Sequence, residues 1–152
     1  MSNRSDHGPM IGALLRIAAQ AMTQRYARWL ETSGFEHIQP AHAAAIQPLW
    51  ELPEGARITA LAAAARITKQ SMSALVDHLE THGYVERIDD PDDARATQVR
   101  LTSRGRAYVR AARAFGRALE LELVEQLGAR RVEDLRETLE LMRSTFISLA
   151  PP

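Results

Sequence analysis

From Thr68 to Ser73 the chain reads Thr-Lys-Gln-Ser-Met-Ser, a cluster of hydrogen-bonding side chains around one methionine. Set at the exposed start of a helix, such residues suit the edges of base pairs. Gln70 can make two bonds to adenine, Lys69 can reach guanine, and Ser71 and Ser73 can serve bases or phosphates. A second group lies downstream, where Asp93 and Arg95 follow an acidic run beginning at Asp89. An arginine raised on a turn can enter a minor groove, whose negative potential attracts it. Around these groups Thr59, Arg66, Arg87, Arg100 and Arg104 are candidates for phosphate contact.

The net charge of zero hides a marked asymmetry. Between Arg95 and Leu119 there are seven arginines and no acid, whereas acids gather at Asp89–Asp93 and Glu120–Glu140. Local sign decides whether a phosphate backbone can approach one face of a protein. With no cysteine, disulfides, thiolate zinc sites, cysteine nucleophiles and cysteine-based redox sensing are all excluded. No phosphate-binding loop, no GxSxG elbow and no dinucleotide-binding glycine pattern occurs, so no catalytic residue and no cofactor are assigned. His78 and His82 have the four-residue spacing of helical metal ligands. Without a glutamate after His78 or a third ligand nearby they are read as a polar helix end, with a metal-responsive protein as an alternative.

The 152 residues, 45% hydrophobic and 25% charged, fit one folded domain with a real core. No apolar run reaches the length of a membrane span. Arg16 interrupts the short apolar stretch Ile11–Ile17, so the N-terminus does not read as a signal peptide, and a cytoplasmic protein is expected.

Apolar steps of three and four residues predict a first helix from Met10 to about Thr32, ended by Ser33-Gly34. A second helix is expected from Pro40 to about Leu52, kinked at Pro48. A short helix follows from Ala60 to Ala65, with Thr59 as its cap, and Thr68 caps another ending near His82-Gly83. Alternation then predicts strands at Tyr84–Ile88 and Thr97–Leu101, joined by turn residues Asp89–Ala94. Thr102 caps a long helix reaching Leu127, and a last helix runs from about Arg130 to Leu149. In that helix Val132, Leu135, Leu139, Met142 and Phe146 form a heptad-like seam. The fold class is therefore mainly α with a small β-hairpin wing, a winged helix-turn-helix. Its expected divisions are an N-terminal dimerisation helix (1–34), a winged lobe (35–101) and C-terminal dimerisation helices (102–152).

Residues Asp93 to Gly105, Asp-Ala-Arg-Ala-Thr-Gln-Val-Arg-Leu-Thr-Ser-Arg-Gly, fit the pattern DxRxxxVxLTxxG. That pattern resembles the wing signature of the MarR (multiple antibiotic resistance regulator) family. Upstream, Leu75 to Val85 is similar to that family's LVDxLExxGYV, and Ile58 to Ala62 to the opening of its first helix-turn-helix helix. The order of elements agrees over nearly the whole chain. The resemblance implies a homodimeric repressor that reads an imperfect inverted repeat in double-stranded DNA, with residues 68–73 in the major groove and Arg95 in the minor groove. It implies dimerisation through the terminal helices, where Ile11, Leu15, Leu135, Leu139, Met142 and Phe146 are the candidate contacts. It also implies a cleft for a small aromatic or anionic effector, for which Arg16, His42, Ile46 and Trp50 are candidates. A winged-helix dimer acting through a protein partner is the alternative.

Overall fold

The structure, a computed structural model, describes residues 9–148. Helix α1 (Ile11–Thr32) leads through a 3-10 turn (Pro40–His42) into α2 (Ala43–Glu51), then α3 (Ile58–Ala65) and α4 (Lys69–Thr81). Strands β1 (Val85–Asp90) and β2 (Asp93–Leu101) form an antiparallel hairpin, followed by α5 (Ser103–Leu127) and α6 (Ala129–Ser148). The chain divides into two compact units within α5, one ending at Val109 and the other starting at Arg110. Among the described residues no helix is long and apolar enough to cross a membrane.

The mainly α architecture with a two-stranded wing agrees with the sequence reading, and the differences are local. The second helix starts later than expected, because Pro40 opens a 3-10 turn in which Gln39 and His42 cap one another. Pro48 is contained within α2. Thr59 is not the cap of α3. Arg57 holds that position with extended backbone and no side-chain cap bond, and Thr59 lies in the first turn. Thr68 does cap α4, its hydroxyl accepting the Ser71 N–H at 3.1 Å. Leu149 lies outside the described residues.

The core of the first unit gathers the apolar stripe of each short element. Leu49 of α2, Leu61 of α3, and Met72, Val76 and Leu79 of α4 are fully buried with Tyr84, Val85 and Val99. The strand register pairs Val85 with Leu101 and Arg87 with Val99. A segment expected to be plain loop joins this sheet. Ala56 exchanges both backbone hydrogen bonds with Val99, at 2.9 and 2.8 Å. The preceding Gly55 has φ +107, and a Cβ there would stand 2.9 Å from the Val99 carbonyl oxygen.

The joint between wing and α5 explains the Thr-x-x-Gly spacing. The Thr102 hydroxyl donates to the Gly83 carbonyl at 2.6 Å and accepts the Gly105 N–H at 3.1 Å, capping α5. At Gly105 an added Cβ would lie 2.0 Å from the Tyr84 carbonyl oxygen. That oxygen belongs to backbone already bound by the Thr102 N–H, so neither partner can yield cheaply.

Surface character changes toward the chain ends. On α1, Ile11, Leu14, Ile17 and Met22 are exposed, and Leu15 is half-buried. On α6, Leu135, Leu139 and Phe146 are exposed, Met142 is half-buried and Val132 is buried.

Gly105→Ala is expected to destabilise the protein by about 2–3 kcal/mol through backbone overpacking. Urea unfolding of the variant beside wild type measures this, and equal midpoints would contradict the close approach.

Candidate nucleic-acid interface

The wing carries its arginine on an irregularity. Regular pairing runs from Val85↔Leu101 to Asp89↔Thr97, and the next pair is Asp90↔Asp93. Residues Ala94, Arg95 and Ala96 therefore have no opposite number on β1, and the bulge carries Arg95 out of the ladder. The Asp93 carboxylate accepts the backbone N–H of Arg95 at 3.1 Å. Asp93 thus shapes the chain around Arg95 without occupying its guanidinium, which has no ion pair or hydrogen bond among the described residues. Arg95 is exposed.

An ion pair that the sequence reading missed holds the base of this bulge. The Asp90 carboxylate, 1% exposed, accepts from Arg57 Nε at 2.6 Å and from the Asp92 N–H at 2.9 Å. Arg57 also lies 3.7 Å from Asp93. The Arg57 hydrogen bond, followed by that of the Asp92 amide, lowers the Asp90 pKa to about 2. The run Asp89–Ala94 was expected to be turn, whereas only Pro91 and Asp92 lie between the strands; its buried member and the cation that neutralises it stand far apart in sequence. The available signal was an arginine directly before α3 and more acids than a two-residue turn needs.

At the start of α4, Lys69, Gln70 and Ser71 are exposed and Ser73 is half-buried. The Thr68 hydroxyl is engaged with both the Ser71 amide and the Ser71 hydroxyl, the latter at 2.9 Å. Arg66 adopts left-handed backbone, φ 54 and ψ 41, to turn from α3 toward α4 and is exposed. Thr59 is also exposed.

Three of the phosphate candidates have partners within the protein. Arg87 pairs with Asp77 at 2.5 Å and with Glu80, tying β1 to α4, and the Asp77 bond leads in raising its pKa. Arg100 pairs with Glu86 across the hairpin at 2.7 Å. Arg104 donates to the His82 carbonyl at 3.3 Å and lies 4.6 Å above the Tyr84 ring. Structure thus separates fastening cations (Arg57, Arg87, Arg100, Arg104) from presented ones (Arg66, Lys69, Arg95), a distinction sequence could not supply.

The candidate cleft residues differ in exposure. Ile46 is 2% exposed within the core, His42 is buried, Trp50 is half-buried and Arg16 is exposed. A shallow cavity of about 430 Å³ lies at the end of α1, walled by Leu30, Phe35 and Ile38 with Glu31 and Glu36 beside them. None of the four cleft candidates lines it. Nearby, Phe35 meets Tyr108 edge-on at 5.5 Å, and the Tyr26 and Tyr108 hydroxyls are hydrogen-bonded. Burial raises the pKa of both tyrosines. Among the described residues no three His, Asp or Glu side chains are arranged to hold a metal ion.

The MarR family model matches residues 51–96, from the end of α2 to the wing bulge. The HTH-type transcriptional repressor Mb2911 of Mycobacterium bovis is 30% identical over 119 residues, spanning 70% of this chain and 86% of that repressor. The chain belongs to the MarR family. The HTH-type transcriptional repressor Rv2887 of Mycobacterium tuberculosis matches to the same extent, 30% over 119 residues. Solved structures agree in fold. Streptococcus pneumoniae FabT in complex with DNA superposes with a TM-score of 0.82 at 18% identity, covering 92% of this chain and 97% of FabT. The Staphylococcus aureus MepR–DNA complex gives 0.73 at 24% identity, covering 90% of this chain and 96% of MepR. The stretch that matches the MarR family contains Arg57, all of α3 and α4, Asp90 and the Arg95 bulge.

Because the folded-state pKa of Asp90 is depressed, its contribution is complete above the unfolded value near 4. It is lost as pH falls through about 2. Asp90→Asn is expected to lower the thermal midpoint at neutral pH and to narrow its gap from wild type in this acid window. Calorimetry from about pH 6 down to pH 2 checks this; a gap that stays constant would contradict the assignment.

Proposed function

We propose that this MarR-family chain is a homodimeric, sequence-specific regulator of transcription that represses by occupying double-stranded DNA. The observation that carries this reading is Arg95, presented on a three-residue bulge with its guanidinium uncommitted among the described residues. In the same lobe, the start of α4 offers Lys69, Gln70 and Ser71 to solvent. A helix start with such side chains suits the major groove, and an arginine on a wing suits the minor groove. The relatives named as transcriptional repressors support the same reading.

Two lobes are needed to read an inverted repeat whose half-sites lie about 10 bp apart. The terminal helices supply a physical reason for pairing. Exposed Ile11 and Leu14 on α1, and Leu135, Leu139 and Phe146 on α6, leave apolar surface in water that a second copy would cover. Regulation would come from a small ligand that binds one arrangement of the paired lobes better than another. The cavity at the end of α1 supports an aromatic, largely apolar effector, since Phe35, Leu30 and Ile38 form its wall. Its carboxylates, Glu31 and Glu36, favour that class over an anionic one.

Fluorescence anisotropy on duplex DNA from around its own gene tests the wing. Arg95→Ala is expected to weaken selective binding by about 1–3 kcal/mol with the dimer intact. Equal affinity for both proteins would remove the wing from the interface. Leu139→Glu is expected to convert the dimer to monomer in sedimentation velocity, by placing an unpaired charge in an apolar seam; an undisturbed dimer would contradict the α6 assignment.

A further inference from the structure

Four of the five histidines in the chain form two stacked pairs that meet at one tilted contact. His37 lies face to face with His82, ring centres 4.0 Å apart, and His42 with His78 at 4.4 Å. His78 and His82 join the two pairs at 4.6 Å. Two of these rings belong to the connection between α1 and α2, and the other two stand at the end of α4. Sequence spacing suggested only the pair on α4; the other two rings are brought to it by the fold.

We propose that this cluster is a proton-operated latch, which seats α4 against the α1–α2 connection while His42 and His82 are neutral and loosens that seat when acid charges them.

The neutral state is built into the geometry. His42 is buried, and its Nδ1 accepts the Gln39 N–H at 2.9 Å as part of the cap of the 3-10 turn. A proton on that nitrogen would face an N–H donor, so charging His42 by that route breaks the cap leading into α2. His78 Nε2 donates to the His37 carbonyl at 2.7 Å, a bond that neutral and charged imidazole can both make. His37 itself is held in left-handed backbone, φ 65, a conformation the surrounding contacts must sustain. Once His42 and His82 are both charged, their like charges oppose one another across the cluster.

The surroundings supply little to offset that repulsion. On α4, Asp77 and Glu80 are engaged by Arg87. From α5, Arg104 reaches the His82 carbonyl and adds a positive charge beside the cluster. Glu36, beside His37 in the chain, is exposed, and its backbone carbonyl is bound by the Tyr84 hydroxyl. Burial, then the neighbouring histidines, lower the pKa of His42; burial, then His37, His78 and Arg104, lower that of His82. The sign follows from depressed basic groups. Stabilisation of the closed latch is complete above the ordinary histidine value near 6.5 and is lost as pH falls below it.

The latch acts on the helix whose DNA role is proposed above, so its test has one arm with DNA and one without. Hydrogen–deuterium exchange of the free protein, corrected for intrinsic rates, is followed over residues 69–82 between about pH 7.5 and 5.5. Wild type is expected to lose at least about tenfold protection there on acidification, and His37→Asn with His82→Asn less than about threefold. Asparagine is chosen because it tolerates left-handed backbone at position 37. If that double variant fails to fold, Arg104→Gln replaces it and is expected to move the acid midpoint to higher pH. Unchanged protection of wild type, the same acid loss in the double variant, or an unmoved midpoint in Arg104→Gln would each overturn the latch.

The second arm measures anisotropy on the same duplex at fixed ionic strength. Affinity is expected to fall about tenfold on acidification, opposite to the tightening that added positive charge alone would give. Tightening at low pH would overturn coupling of the latch to DNA. Absence of selective binding at neutral pH would instead count against the DNA reading, and the exchange arm still decides the latch.

Discussion

The lobe is organised around Tyr84, a fully buried side chain whose backbone and ring bind four separate parts of the chain. Its N–H donates to the Leu79 carbonyl and so ends α4. Its carbonyl receives the Thr102 N–H and hydroxyl where β2 passes into α5. Its phenol donates to the Glu36 carbonyl at 2.8 Å, reaching the connection between α1 and α2, and its face receives Arg104. A buried hydroxyl must find a partner, and this one finds it in a loop distant in sequence. Helix, wing and loop are consequently fixed to one point. Gly105 is the counterpart of this constraint, because α5 can approach the Tyr84 carbonyl only without a Cβ.

Outward from that point, charges sort into two kinds. Arg57 and Arg87 fasten the wing to the segment before α3 and to α4, and Arg100 pairs with Glu86 across the hairpin. Lys69 and Arg95 remain turned to solvent. A net charge of zero thus coexists with a local cationic surface, since acids are spent on fastening cations. The paired cations have partners within the protein, and the presented ones keep the water and counterions that an approaching phosphate would displace.

Local signals were legible in the sequence. Thr68 as the cap of α4 and Thr102 as the cap of α5 each depend on neighbours within a single turn. Arg57 with Asp90, Ala56 with Val99, and His37 with His82 depend on contacts that only the folded chain makes. Thr59 was misread as a cap because its residue type suits that position, while Ile58 already belongs to α3. The bulge at Ala94–Ala96 was likewise hidden, since alternation was counted along each strand and not across the pair.

The absence of cysteine makes a direct measurement simple. An iron chelate tethered to Asp92→Cys, at the wing tip, would cleave DNA only where that tip lies. The account predicts two cleavage clusters in the minor groove, one flanking each half-site and related by the symmetry of an inverted repeat. Uniform cleavage along the duplex, or cleavage confined to a single site, would contradict a paired wing reading DNA.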